Sequence, residues 1–305
     1  MDVGSTSVHA LVATVSDDAP TTRLDESTFL GLGPHVDGTG RLGTAKTGEL
    51  VIVLSGYARR GRELGARSIV VLGTEPLRRA LDAARVVRAV EREAGLAMHV
   101  LTQREEALLS LVGVGCGRRA SGEIALADVG GGSTEVARVA PDRPAVLAGL
   151  ALGTARLSSL LVSHDPPARV EVQAMLAAAR AGVAELPPGR PREVVAVGGT
   201  ADNLLRVMPG GTGDRMLTRD GLRAALRSLI AEPSDLIAAR HLIRPIRARL
   251  LPAGAVILLA LLDHWRIDAL RVSASGIREG AILAAHHAGS GWRDRLPELA
   301  AGWRD

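Results

Sequence analysis

The sequence predicts an α/β protein built from two related halves, and three features of the chain support this. At 305 residues the chain is long enough for two domains of ordinary size. The segments that begin at Asp2 and Asp128 share one pattern: an acid, then glycine, hydroxyl side chains and an alternating apolar strand. A third segment, at 194–203, runs from a buried-type strand through two glycines into a helix. Related turns in both halves indicate a duplicated architecture with a ligand between the halves.

The N-terminal motif reads MDVGSTSVHALVATV and predicts a tight turn followed by a strand over 8–15. Gly4 permits the turn, while Ser5 and Thr6 supply hydroxyl groups that can bind a phosphate. The strand that should lead into Asp2 is missing, because the sequence begins one residue earlier. Either the start codon is misassigned or the first strand is truncated.

The remainder of the first half alternates helices with short strands. Thr74 and Pro76 are typical of a helix start, and Arg78 lies in the first turns of that helix. A helix N-terminus with a nearby arginine is a natural anion site. The predicted elements are a loop at 31–42, a helix at 48–64, a strand at 68–73, a helix from 76 to 94, a strand at 98–102 and a helix at 103–115.

Two adjacent carboxylates, Glu105 and Glu106, stand near the start of the helix at 103–115. Neighbouring residues on a helix point about 100° apart, so only one of the two can face a ligand. Acids in a first turn also complement the helix dipole, which is the structural alternative to a catalytic role. The spacing alone favours neither alternative.

The central motif, IALADVGGGSTEVARV at 124–139, predicts a β-hairpin with a glycine-rich turn. The turn can hold an anion through its backbone N–H groups and hydroxyls, which belong to Gly130, Gly131, Gly132, Ser133 and Thr134. Asp128 and Glu135 at its two edges can bind a divalent cation, which favours hard oxygen ligands. Together these features indicate phosphate chemistry. The alternative is a structural glycine turn at a corner of a sheet.

A polar, basic break at 117–122 predicts the domain boundary, which gives domains of residues 1–118 and 119–305. A third glycine site follows the strand at 194–197 and comprises Gly198, Gly199 and Thr200. A strongly basic run occupies 240–249. The other predicted elements of this half are helices at 169–186, 222–230 and 253–264, a loop at 209–213, a strand at 270–273 and a final helix after residue 280.

The composition excludes several classes of protein. The net charge is +4, and nearly all of the positive charge is arginine. Aromatics are only 2%, however, and the chain lacks the dense basic run that is typical of a dedicated nucleic-acid binder. Cys116 is the only cysteine, which excludes internal disulfides and thiolate metal clusters and fits a reducing cytoplasm. No signal peptide is visible, and the longest apolar run, at 253–262, is too short to span a bilayer. We therefore expect a cytoplasmic protein with no membrane partner.

With these motifs placed, the chain resembles the Ppx/GppA family of exopolyphosphatases and guanosine pentaphosphate phosphohydrolases, in its short two-domain form. That family belongs to the superfamily of actin, sugar kinases and heat-shock chaperones. The resemblance covers essentially the full chain in the family's order, through the segments MDVGSTSVHALV, GLGPHVDGTGRL, GTEPLRRALDA, LTQREEALL, DVGGGSTEV, VAVGGTADNL and VSASGIREGAIL. It implies two ribonuclease-H-like, actin/sugar-kinase-like domains with a cleft between them.

The resemblance also implies metal-assisted hydrolysis of the terminal phosphate of polyphosphate. By the matching motifs, Glu106 is the general base for the attacking water and Arg78 binds the phosphate chain. Asp128 and Glu135 hold Mg²⁺ or another divalent cation. The phosphate-binding groups are Ser5, Thr6, Gly130, Gly131, Gly132, Ser133, Gly198, Gly199 and Thr200.

Several alternatives remain open at this point. The substrate could be the guanosine polyphosphate pppGpp, although one Phe, one Tyr and three Trp leave few partners for a guanine ring. An ATP-using kinase of the same superfamily is disfavoured, since the segment with Glu106 resembles the hydrolases. A catalytically weak sensor of phosphate ligands also remains, because the family usually has asparagine where Thr6 stands. A homodimer is a further expectation.

Overall fold

The computed structural model describes residues 1–141, 143–208 and 214–302. The chain divides into two compact units. Unit 1 comprises residues 1–119 and the segment that begins at Ser275, and unit 2 comprises Ala120–Ala274. The loop predicted at 209–213 lies outside the described residues.

Strands and helices alternate along much of the described chain. The strands are β1 Asp2–Val3, β2 Ser7–Ser16, β3 Ala19–Phe29, β4 Val71–Gly73, β5 Met98–Val100, β6 Ile124–Val129, β7 Thr134–Ala140, β8 Arg143–Leu150, β9 Glu193–Val197, β10 Met216–Thr218 and β11 Ala269–Val272. The helices are α1 Leu32–Thr39, α2 Gly43–Glu63, α3 Glu75–Arg79, α4 Ala83–Ala94, α5 Gln103–Gly115, α6 Thr154–Leu161, α7 Arg169–Val183, α8 Gly199–Val207, α9 Arg219–Leu229, α10 Ser234–His241, α11 Pro245–Trp265, α12 Ile277–Ala288 and α13 Leu296–Ala300.

Unit 1 contains a five-stranded sheet in the order β3-β2-β1-β4-β5. The strands β1, β4 and β5 run parallel, so their carboxyl ends meet at one edge of the sheet. The predicted strand at 68–73 is shorter than expected and begins at Val71. Its neighbour β1 supplies Asp2 and Val3 as ladder partners, and before them only the N-terminal ammonium of Met1 donates to the carbonyl of Val70, at 2.6 Å. The helix expected from 76 to 94 is divided into α3 and α4.

The C-terminal segment differs from the predicted division, which placed all of 119–305 in the second domain. Helix α12 packs against α5 within unit 1. A Cβ at Gly113 would collide with the backbone of Gly276, and one at Gly280 would collide with the carbonyl of Leu109. The two helices therefore approach closely because glycines line both sides of the contact. Such a long-range contact leaves no signal in the local sequence.

Unit 2 contains a six-stranded sheet in the order β10-β11-β9-β6-β7-β8. The strands β6, β9 and β11 run parallel, and β7, β8 and β10 pair antiparallel with their neighbours. Apolar residues of β6 and β9 pack with those of α7, α8 and α11 to form its core. This arrangement brings the loops after β6 and β9 to the same edge of the sheet.

Helix α11 is longer than the apolar run noted in the sequence. It begins at Pro245 and continues through Pro252 into that run. By length and composition alone it could cross a membrane. Its residues from Leu251 to Leu262 are, however, all buried in unit 2. Its apolar character is thus explained by its place in the core of that unit.

Candidate active site

The first predicted phosphate turn, Gly4–Ser7, joins β1 to β2 in unit 1. The N–H of Gly4 donates to the carbonyl of Ser7 at 3.1 Å and closes the turn. The start of α1 supports the turn from behind, since the N–H of Gly33 donates to the carbonyl of Ser5 at 2.8 Å. A Cβ at Gly33 would lie 2.7 Å from the Cβ of Ser5, so only glycine permits this approach.

The hydroxyls of Ser5 and Thr6 in this turn have different environments. Ser5 Oγ donates to the carboxylate of Glu75 at 2.5 Å. Thr6 Oγ1 is buried and has no hydrogen-bond partner within the described ranges. Glu75 had no role in the sequence analysis. The signal that could have identified it is an acid in the short connection between a buried strand and Pro76.

Arg78 and Glu106 lie together at the edge where β4 and β5 end. The guanidinium of Arg78 donates to the carbonyl of Leu101 at 2.9 Å and forms an ion pair with the carboxylate of Glu106. Glu106 is only 7% exposed. The structure thus brings the predicted phosphate ligand and the predicted general base into direct contact.

Glu105 has a different environment from its neighbour. Its carboxylate accepts a hydrogen bond from the N–H of Thr102 at 2.7 Å, while Thr102 Oγ1 accepts one from the N–H of Glu105 at 3.2 Å. This reciprocal pair is a capping box at the start of α5. Burial acts to raise the pKa of Glu105, but hydrogen bonds from Thr102 and Arg293 outweigh it and lower the pKa below its ordinary value. Glu105 is therefore committed to capping the helix.

The second predicted turn, in unit 2, repeats the geometry of the first. The N–H of Gly130 donates to the carbonyl of Ser133 at 3.0 Å, as Gly4 does to Ser7. Asp128 stands in the second-last position of β6, as Asp2 stands relative to the end of β1. The duplicated pattern read from the sequence therefore corresponds to two hairpins with the same hydrogen bond across the turn.

The start of α6 supports this turn from behind. The N–H groups of Thr154 and Ala155 donate to the carbonyls of Gly130 and Gly131 at 2.9 and 2.8 Å. Arg156 Nε donates to the carbonyl of Gly132 at 3.0 Å. With these carbonyls engaged, the N–H groups of Gly131 and Gly132 donate to no acceptor in the part of the chain that the structure describes. They remain available to an anion.

The sequence analysis identified 152–156 only as a turn before a helix, so it missed this supporting role. The segment begins Leu-Gly, as does the segment that supports the first turn, and that repeat is the signal that could have revealed it. A Cβ at Gly153 would lie 2.5 Å from backbone atoms of Gly131 and Gly132. The close approach therefore requires glycine at this position.

The two predicted cation ligands, Asp128 and Glu135, are direct cross-strand partners in β6 and β7. Opposed residues of an antiparallel pair project from the same face, with Cβ atoms about 5 Å apart. Glu135 is 3% exposed, whereas Asp128 is half-buried. Their chemistry and spacing fit a hard divalent cation. No group of three or more His, Cys, Asp or Glu side chains in residues 1–141, 143–208 and 214–302 is arranged to hold a metal.

The third predicted site, at the start of α8, lies beside Asp128. A Cβ at Gly198, whose φ is +87°, would lie 2.9 Å from Asp128 Oδ1. This contact arises because β6 and β9 are parallel neighbours and end at the same edge. Thr200 Oγ1 donates to the carbonyl of Val129 at 2.7 Å, so its hydroxyl proton is used within the protein.

Arg247 adds positive charge to this edge. A Cβ at Gly199 would lie 3.6 Å from a guanidinium nitrogen of Arg247, which reaches the start of α8 from α11. The basic run at 240–249 was the sequence signal for this residue, but only the packing of α11 on α8 selects it from the other arginines of that run.

Comparisons with known proteins show which family this chain is similar to. The Ppx/GppA phosphatase family matches residues 11–288. Exopolyphosphatase 1 of Mycobacterium tuberculosis is 28% identical over 300 residues, which cover 93% of this chain and 86% of that protein. Guanosine-5'-triphosphate,3'-diphosphate pyrophosphatase of Vibrio atlanticus is 25% identical over 288 residues, which cover 92% of this chain but only 57% of that protein.

Among solved structures, the crystal structure of the Aquifex aeolicus member of the Ppx/GppA family has a TM-score of 0.79 at 26% identity. The match covers 95% of this chain and 97% of that one. Structural neighbours of this kind are two-domain proteins of the actin-like ATPase fold. The predicted α/β fold class is thereby confirmed.

Proposed function

The chain belongs to the Ppx/GppA phosphatase family, and on that basis we propose that it is an exopolyphosphatase, which releases the terminal phosphate of inorganic polyphosphate. Members of this family are phosphoanhydride hydrolases. The observation that supports the proposal most is the buried carboxylate of Glu106 next to Arg78, at the sheet edge that also carries the Gly4–Ser7 turn. A carboxylate, a guanidinium and N–H groups at one edge are what hydrolysis of a phosphoanhydride requires.

In the proposed reaction, Glu106 accepts a proton from a water molecule as the water oxygen bonds to the terminal phosphorus. The bond from that phosphorus to the bridging oxygen breaks, and its electron pair leaves with the shortened polyphosphate. Arg78 neutralises charge on the terminal phosphate. Since an arriving phosphate competes for the guanidinium, substrate binding weakens the Arg78–Glu106 ion pair and makes the carboxylate available to water.

Unit 2, taken by itself, carries a second set of groups that can hold negative charge. We assign the N–H groups of Gly131 and Gly132 to phosphate oxygens, with Arg247 adding positive charge at the start of α8. Asp128 and Glu135 would hold a divalent cation, with Mg²⁺ the expected ion. When bound, the cation supplies neutralisation of the charge on the phosphate oxygens.

We favour polyphosphate over pppGpp as the substrate. Polyphosphate is a repeating anion that arginines and N–H groups can bind without an aromatic partner, and aromatics are only 2% of this chain. The relative named as an exopolyphosphatase is matched over most of its length, whereas the relative named as a guanosine polyphosphate pyrophosphatase is matched over little more than half. The single cysteine fits action in the cytoplasm.

The test is the release of phosphate from long-chain polyphosphate, pppGpp and ATP, each with Mg²⁺, at low and moderate salt. We expect the highest kcat/KM for polyphosphate, with a preference that weakens as salt screens its contacts with surface charge. A higher kcat/KM for pppGpp at both salt concentrations would show that the protein is a pppGpp phosphohydrolase instead. Transfer of phosphate from ATP to an acceptor would indicate a kinase, and binding without release would indicate a sensor.

A further inference from the structure

Glu75 is a buried carboxylate at the first phosphate turn that no step of the proposed reaction uses. It is only 6% exposed and opens the short helix α3. Its carboxylate accepts the hydroxyl of Ser5 and forms an ion pair with Arg79, one helical turn later. Arg79 in turn contacts the carboxylate of Asp37 at 2.5 Å. A negative charge beside an anion-binding turn is unfavourable for phosphate unless it serves the turn itself.

The hydrogen bond to Glu75 decides what Ser5 can do. A serine hydroxyl has one proton to donate, and Ser5 donates it to the carboxylate. An ionised carboxylate only accepts, so this donor direction is fixed. The Ser5 hydroxyl is therefore directed into the protein, and its oxygen is a poor partner for a phosphate oxygen, since both would act as acceptors.

Thr6 is in the opposite situation. The residue is 6% exposed, and its hydroxyl has no hydrogen-bond partner in the described part of the chain. Leaving a buried hydroxyl unpaired is unfavourable, and a ligand that accepts its proton would remove that cost. Phosphate oxygens are strong acceptors for such a donor.

The duplicated hairpin in unit 2 has glycines where the first turn has the hydroxyls of Ser5 and Thr6. Equivalent positions follow from the shared hydrogen bond across each turn, so Ser5 corresponds to Gly131 and Thr6 to Gly132. The second turn thus has no side chain at the position of Ser5 and depends on N–H groups alone. Both hydroxyls are accordingly particular to the first turn, and only the contact of Ser5 with Glu75 distinguishes their roles there.

We propose that Glu75 is a positioning residue, which fixes the Gly4–Ser7 turn by accepting the Ser5 hydroxyl and leaves Thr6 as the hydroxyl that donates to the phosphate. This inference rests on the proposed function and deepens it, since it assigns the donor of the first turn. Arg79 keeps the buried charge of Glu75 compensated, so the turn remains attractive to an anion.

The test measures the Kd of inorganic tripolyphosphate by its effect on thermal unfolding, alongside KM and kcat with long-chain polyphosphate. The variants are Thr6→Val, Ser5→Ala, Glu75→Ala, the double variant Ser5→Ala/Glu75→Ala and the conservative Glu75→Gln. The exposed acid of a surface ion pair provides the matched control Glu63→Gln.

We expect Thr6→Val to raise the Kd and KM roughly tenfold, the loss of one hydrogen bond to a charged acceptor. Ser5→Ala and Glu75→Ala should each raise them about threefold with kcat nearly unchanged. The double variant should be no worse than either single one, because both remove the same contact. Glu75→Gln should restore wild-type values, since its amide oxygen still accepts the hydroxyl.

Three results would overturn the inference: a larger effect for Ser5→Ala than for Thr6→Val, single effects that multiply in the double variant, or no tripolyphosphate binding by the wild type. Thermal unfolding measures the binding of tripolyphosphate and does not depend on its hydrolysis. The expected pattern of Kd values would therefore support the inference even if the wild type released no phosphate. Absent release would then count against the proposed function alone.

Discussion

At the scale of single residues, Arg78 and Glu106, the proposed phosphate ligand and the proposed general base, form an ion pair. Each group neutralises the other in a largely buried setting. Removing one partner of such a pair leaves an uncompensated charge, which is costly. We therefore expect variants that keep shape but remove charge to be more informative here than truncations.

The assignment of the base is tested by Glu106→Gln. We expect kcat to fall at least roughly a hundredfold while polyphosphate binding is retained, in line with general-base contributions. Glu105→Gln is the matched control, since its side chain caps α5 instead. Equal losses of kcat in the two variants would defeat the assignment.

Glu105 carries a second prediction, on stability against pH. Its pKa is lowered in the folded protein. A carboxylate of this kind stabilises the fold above its unfolded pKa, and the contribution is lost as pH falls through the folded pKa. As the pH falls below the ordinary pKa of glutamate, we expect the free energy of unfolding to decrease less steeply in Glu105→Gln than in the wild type. Urea unfolding of both proteins across acidic pH measures this, and parallel curves would contradict it.

At the scale of elements, the two turns that we propose to bind phosphate lie in hairpins with one geometry. Each turn is closed by an N–H from its first glycine and supported from behind by the start of a helix. The glycines and hydroxyls of both turns were predictable from the sequence because they are local. Glu75, Arg247 and the segment 152–156 were not, since strand pairing and helix packing bring them to the turns from distant positions.

The hairpin of β6 and β7 predicts a metal dependence. Asp128→Asn should raise the Mg²⁺ concentration needed for half-maximal activity, because one of two opposed carboxylates loses its charge. The exposed acid Asp220 in the same unit provides the control Asp220→Asn, which should leave the titration unchanged. A Mg²⁺ titration of phosphate release measures the shift. An unaltered curve for Asp128→Asn would remove Asp128 from the cation site.

The contact between α5 and α12 predicts a difference between two glycines of one helix. Gly113→Ala should lower the free energy of unfolding by roughly 1–3 kcal/mol, since its Cβ would collide with the backbone of Gly276. At Gly115 a Cβ meets open space, so Gly115→Ala should be neutral or stabilising by up to about 1 kcal/mol. Denaturant unfolding compares the two. Equal effects would show that the close approach is absent in solution.

At the scale of the whole molecule, unit 2 is continuous in sequence whereas unit 1 is not. The fold class and the position of the first boundary followed from local motifs and from the polar break at 117–122. The return of the chain to unit 1 at Ser275 did not, because it depends on the packing of α12 against α5 and no local pattern records it.

This division predicts how fragments behave. Residues 120–274 should fold alone, because they contain a complete sheet and its core helices. Residues 1–119 should fold poorly, because α5 then exposes the face that α12 covers. Circular dichroism and denaturant unfolding of the two fragments are the measurement. Cooperative unfolding of residues 1–119 alone would contradict the prediction. Addition of a peptide that spans 275–302 should give residues 1–119 a cooperative unfolding transition.

The glycine-lined contact between α5 and α12 has a consequence for synthesis. As the chain leaves the ribosome, the five strands of unit 1 emerge first, yet the helix that completes this unit is translated only after all of unit 2. The face of α5 that awaits α12 stays open to water, or to a chaperone, for that whole interval. The half of the protein that carries Glu106 is thus the first to be made and the last to be finished.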